Sequence, residues 1–273
     1  MLNIFKPLFD KKSKISNESL KKWNLTIASL SLVQGGLILF LSAPYNLPVT
    51  MLFSTNDTLQ SRLTGGTVTA PAVQQLFTIN LIYLPAAFFL ISAVAHLLAA
   101  TKYKTQYEAG IKKGINKLRW IEYALSSGIM LIVVGLLAGM YDIGSLLLIF
   151  VLAVIACLVG LMLELDNRLR SKKTKLEPFS NFVGAFAGVI PWLIIAFYLC
   201  GTSTYGSGVA PYVYGVYGST LLLFAAIALN FYLLRNKKAR WADYLWGERW
   251  YMGLSLAAKS LLAWLVFIYV FHS

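Results

Sequence analysis

The sequence predicts an all-α membrane protein of seven spans with its N-terminus in the cytoplasm, and three observations carry that prediction. Apolar side chains make up 58% of the 273 residues and charged ones 13%, a balance typical of chains embedded in lipid. The apolar residues gather in seven runs, at about 25–43, 78–100, 118–138, 144–163, 182–200, 211–234 and 250–271. Each is long enough for a helical crossing, whereas a membrane β-barrel would show short alternating segments. The third observation is where the charge lies.

The net charge is +13, and its distribution points to membrane topology rather than to nucleic acid. Lys6, Lys11, Lys12, Lys14, Lys21 and Lys22 precede the first span, and Lys102, Lys104, Lys112, Lys113, Lys117 and Arg119 lie between the second and third. Arg168, Arg170, Lys172, Lys173 and Lys175 follow the fourth, and Arg235, Lys237, Lys238, Arg240 and Arg249 flank the sixth connection. Apart from Lys259, the other side holds only Arg62. The positive-inside rule therefore places the N-terminus in the cytoplasm and the C-terminus outside. Cys157 and Cys200 sit in spans with no metal-binding spacing.

Taken in order, residues 1–22 form a basic cytoplasmic arm that either rests on anionic headgroups or frays, ahead of a membrane domain over 23–273. In the first span Ser31 and Gln34, three apart, share a helix face. The long external loop at 44–77 contains Arg62-Leu63-Thr64-Gly65-Gly66-Thr67-Val68-Thr69, which reads as a short β-hairpin with a Gly-Gly turn. His96 lies late in the second span with Ser92 one turn before it. The third span opens Arg119-Trp120-Ile121-Glu122-Tyr123 and continues to Ser126 and Ser127; a helix starting near Gly114 would carry Glu122 into the bundle, the alternative being an Arg119–Glu122 pair at the membrane edge. Glu164 ends the fourth span at the interface. In the fifth, Gly184 and Gly188 suit close helix packing, and Pro191-Trp192 marks a kink. Tyr212, Tyr214, Tyr217 and Phe224 in the sixth wall a pocket or pack the bundle, and Trp241, Trp246 and Trp250 form an interfacial belt.

The seventh span holds the most informative residue. Lys259 sits near the middle of an apolar segment, where an ammonium costs roughly 2.5–3.5 kcal/mol on insertion scales. Such a lysine pairs, lines a wet cavity, or is chemically converted. A desolvated amine is a good nucleophile toward an aldehyde, so Lys259 reads either as the anchor of a covalently held aldehyde or as a hydrogen-bonding residue. Ser255 lies about 6 Å away along the same face, and Glu122 and His96 fall on the same side of Lys259. A carboxylate within about 4 Å of a protonated nitrogen gains roughly 4 kcal/mol at an effective dielectric near 20, which offsets much of the desolvation.

Arg119-Trp120-Ile121-Glu122-Tyr123 with Ser126-Ser127, Ser255-Leu256-Ala257-Ala258-Lys259-Ser260, Ile190-Pro191-Trp192 and Gly247-Glu248-Arg249 together resemble the heliorhodopsins, from about Trp23 onward. The resemblance implies a seven-helix rhodopsin-like bundle of inverted orientation. It implies all-trans-retinal bound to Lys259 as a protonated Schiff base, with Glu122 as counterion and Ser255 as hydrogen-bond partner. The cofactor-binding set is completed by Tyr123, Ser126, Ser127, Trp192 and Phe224. A proton-accepting cavity would hold His96, Ser92, Ser31, Gln34 and Arg119, Ser31 standing where the family often has a first-helix histidine. The long external loop is similar to one that forms a homodimer interface.

Granted retinal, two functions compete: a light sensor that passes a conformational change to a cytoplasmic signalling partner, and a light-driven or light-gated proton transporter. A vectorial relay needs ionisable groups on both sides of the buried nitrogen. The spans past Lys259 toward the outside supply aliphatic residues such as Leu261, Leu262 and Val266, so the expectation is a photoreceptor, neither pump nor enzyme. A retinal-free transporter gated by a Lys259–Glu122 pair would need broken helices, and only Pro191 interrupts a span centrally.

Overall fold

The computed structural model describes residues 16–169 and 178–272, so most of the basic arm and the basic stretch from Arg170 lie outside the described residues. Within them, seven helices are long and apolar enough to cross a membrane. These are α1 (Asn17–Leu41), α3 (Tyr83–Ala100), α5 (Lys117–Leu137), α6 (Ile143–Leu169), α7 (Pro178–Tyr205), α8 (Pro211–Arg235) and α9 (Tyr244–His272). The shorter elements are β1 (Asn46–Asn56), α2 (Thr58–Thr64), β2 (Thr69–Asn80), α4 (Lys104–Lys112) and a 3₁₀ turn at Ala239–Ala242. The protein is a multi-pass membrane protein with a seven-helix bundle.

Packing follows chain order: α1 lies on α3, α3 on α5, α5 on α6, α6 on α7, and α8 on α9, with α9 returning to α1 and α3. α1 shows how the sequence sets this. Leu20, Asn24, Ile27, Ser31 and Ile38 are buried, recurring every three, four or seven residues along one stripe, while Leu32 and Phe40 face outward. Outward apolar residues are natural here, because lipid tails solvate them as well as a protein core does. α5 is the most enclosed span, with 72% of its apolar window buried. α6 comes close to both of its neighbours through glycine: a Cβ on Gly184 would lie 2.9 Å from Val159, and one on Gly160 would lie 2.3 Å from the Trp120 indole.

The external loop forms an antiparallel pair from Asn46↔Asn80 to Asn56↔Thr69, with a register shift between Val49 and Thr50. The strands are long, and the predicted Gly-Gly turn is replaced by a helix. Asp57 caps α2 by accepting from the Leu59 and Gln60 amides at 3.1 and 3.0 Å, and Gly65, at φ 70°, ends it in the left-handed region. Asp57 is a strong N-cap residue, and that local preference outcompetes a tight turn.

Two helix starts also differ from expectation. α5 begins at Lys117, not near Gly114, because the Asn116 side chain accepts from the Arg119 amide and caps it there. α9 begins at Tyr244, six residues before the apolar run, because Glu248 on its first turns is neutralised within the bundle. α7 continues as helix through Pro191.

Candidate functional site

Lys259 is 1% exposed, and its Nζ donates to Glu122 Oε1 at 2.7 Å and to the Ser255 hydroxyl. The local sequence explains the geometry. Ser255 precedes Lys259 by four residues on α9, so the two side chains stack on one face. Glu122 enters from the enclosed α5. It is 3% exposed although the helix starts only five residues earlier, since α4 and the first turns of α9 cover that end. Tyr123 completes the surroundings: its ring centroid is 5.5 Å from Nζ and its hydroxyl donates to the Tyr251 carbonyl at 2.7 Å. Ser126 is buried, and Ser127 lies 3.9 Å from the Cys157 sulfur.

Beyond the lysine the bundle is packed with aromatic and aliphatic side chains. Trp192 of α7 meets Tyr217 and Phe224 of α8 edge-on, at ring separations of 5.5 and 5.2 Å, and belongs to the same core as Ala258 and Leu262 beside Lys259. A primary amine shielded from bulk water, a carboxylate at hydrogen-bond distance and an aromatic-lined core are the donor set that a retinal imine needs. The residues present fit that group.

The model of the family described as Heliorhodopsin matches residues 20–271. The chain belongs to the heliorhodopsin family. No curated protein matches it. As a heliorhodopsin it is a retinal-binding, light-responsive rhodopsin.

A polar cavity opens on the basic side of Lys259. His96, Arg119, Glu122 and Tyr123 line it together with Asn24, Tyr107, Asn116 and Glu248. Of the other residues expected there, Gln34 instead accepts from the Trp264 indole at 3.0 Å and ties α1 to α9. Ser92 and Ser31 are buried but do not line the cavity, and the Ser31 hydroxyl has no hydrogen-bond partner. His96 pairs with Asn24, through Nδ1 and Oδ1 at 2.8 Å.

Arg119 serves this heliorhodopsin in a way its sequence neighbours do not suggest. The alternative of an Arg119–Glu122 edge pair does not form. The guanidinium bonds instead to Glu164 of α6 and Glu248 of α9 and lies 4.0 Å from the Tyr251 ring centroid. Glu164, expected at the interface, is 7% exposed and Glu248 1%. Neutral donors complete the network around the two acids. Trp120 Nε1 and the Asn116 amide donate to Glu164 at 2.8 and 3.2 Å, and Asn116 Nδ2 donates to Glu248 at 2.5 Å. Gly160, one turn before Glu164, leaves room for that indole.

Proposed function

We propose that Lys259 holds all-trans-retinal as a protonated Schiff base, that Glu122 is its counterion, and that the protein is a light sensor rather than a pump. One observation supports this above the rest: Lys259 Nζ and Glu122 Oε1 lie 2.7 Å apart with both side chains 2% exposed. Lys259 would hold the aldehyde through its nitrogen, and Glu122 and Ser255, both within hydrogen-bond reach of that atom, would favour its protonated form. When bound, retinal supplies absorption of visible light and a light-driven change of double-bond geometry.

The chain's own residues decide where a proton released from that nitrogen goes. Toward the basic end lie Glu122 and the cavity with His96. Toward the hairpin end Leu262 and Val266 are fully buried and close the way; Leu261, expected beside them, is 37% exposed and faces outward. A proton that leaves into the cavity returns from it, and the output is a change of shape read by a cytoplasmic partner.

Glu122→Gln tests the counterion. It removes the charge that favours the protonated nitrogen, so the pigment should shift in colour and lose its proton at lower pH than wild type. A visible spectrum and pH titration identical to wild type would assign the counterion elsewhere.

Orientation and assembly are proposals of the same kind. The basic segments support a cytoplasmic N-terminus, and the hairpin's exposed Leu52 and Val73, directly opposite each other across the strand pair, support a homodimer face, an exposed apolar patch being costly in water. In a Cys200→Ser background, Leu52→Cys treated on intact cells with a membrane-impermeant bifunctional thiol reagent should yield crosslinked dimers. Labelling only after permeabilisation would reverse the orientation, and labelling without crosslinking would remove the dimer face.

A further inference from the structure

Asn24 is 1% exposed and makes three polar contacts whose directions can be worked out. Its Nδ2 is 2.9 Å from the Leu20 carbonyl, which only accepts, so that atom is the amide nitrogen. The same nitrogen donates to the Tyr107 hydroxyl at 3.3 Å. Oδ1 is therefore the atom 2.8 Å from His96 Nδ1. An amide oxygen only accepts, so Nδ1 must carry the hydrogen, and in a neutral imidazole the lone pair then sits on Nε2. Nε2 makes no hydrogen bond among the described residues, and His96 borders the cavity shared with Glu122, Arg119 and Glu248.

We propose that Asn24 is a positioning residue: it holds His96 as the Nδ1–H tautomer and presents Nε2 to the cavity as the proton-accepting nitrogen. This rests on the reading that a proton released near Lys259 enters that cavity. Tyr107 braces the arrangement from α4. Burial, with Glu248 nearby, holds its phenol well above the ordinary range, so its oxygen stays neutral and Asn24 cannot rotate without losing two acceptors. A proton reaching Nε2 gives an imidazolium whose Nδ1–H remains on Asn24, in a bond strengthened by the charge. Asn24 thus lets α1 support the acceptor two turns from Ser31, whose own hydroxyl supports nothing.

The test reads the tautomer directly, in the dark and without retinal, so its outcome is separate from whether Lys259 forms a pigment. In a His272→Gln protein labelled with [15N]histidine and placed in bilayers, His96 is the sole histidine. Solid-state NMR should show a protonated Nδ1 and an unprotonated Nε2. Asn24→Leu should lose this single form, with at least half of His96 converted to Nε2–H, whereas Asn24→Asp, which keeps an acceptor oxygen, should retain the hydrogen on Nδ1. A wild-type spectrum showing Nε2–H, an Asn24→Leu spectrum identical to wild type, or loss of Nδ1–H in Asn24→Asp would overturn the proposal. If Asn24→Leu fails to fold, the other two spectra still decide.

Discussion

Lys259→Ala should give a folded protein that stays colourless when all-trans-retinal is added. No other primary amine lies in the enclosed core: Lys259 is the only buried lysine among the described residues. The loss of pigment should therefore be complete rather than graded. Alanine leaves Glu122 without its cation, but a lone buried carboxyl escapes most of that penalty by taking up a proton. Lys259→Arg is the companion variant: it keeps a charge opposite Glu122, forms no imine, and should also be colourless. A coloured Lys259→Ala protein that resists hydroxylamine would sink the assignment. The same variant is the blank for transport. Illuminated cells in light buffer should show no sustained pH change beyond it, and a photocurrent lost only in Lys259→Ala would replace the sensor with a transporter.

Arg119→Leu should be the most destabilising single change in the bundle. It leaves Glu164 and Glu248, 7% and 1% exposed, without their shared cation, and removing one partner of a buried ionic network costs about 3–5 kcal/mol. The consequence is structural, since Arg119 joins α5 to α6 and α9 at once. Adding Glu164→Gln and Glu248→Gln to Arg119→Leu should recover most of the loss, because neutral amides can still accept from Trp120 and Asn116. Denaturation in mild detergent, followed by tryptophan fluorescence, measures this. A loss under 1 kcal/mol for Arg119→Leu, or no recovery in the triple variant, would show that the network does not hold the three helices.

The parts of the site that sequence reveals are those encoded locally. Seven apolar runs and the placement of lysines give the bundle, and four-residue spacing puts Ser255 over Lys259. Isolated polar residues in apolar helices mark Glu122 and His96. Contacts that depend on how helices rotate against each other are not encoded that way. Arg119 reaches across 45 and 129 positions to Glu164 and Glu248, and nothing near Arg119 selects them over Glu122 three residues away. Both acids sit near span ends, which disguises their burial. Asn24 carried a usable signal, seven residues before Ser31 and so on the same α1 stripe. Asp57 carried another, since an Asp before Thr-Leu-Gln is an N-cap pattern.

α9 is fastened at both ends. Near its start Glu248 is clamped by Arg119; near its finish the Tyr269 hydroxyl meets that of Tyr45 at 2.9 Å and its ring stacks on Tyr212. Lys259 lies between them, about 17 Å from the first anchor and 15 Å from the second at 1.5 Å per residue. A rod pinned near both tips cannot slide along its axis when pushed at mid-length; it can only bow or roll. Force applied at Lys259 would therefore be delivered sideways, to α1 through the Trp264–Gln34 bond and to the hairpin through Tyr45, with the strand pair as the far arm of a lever whose load is placed at the buried amine.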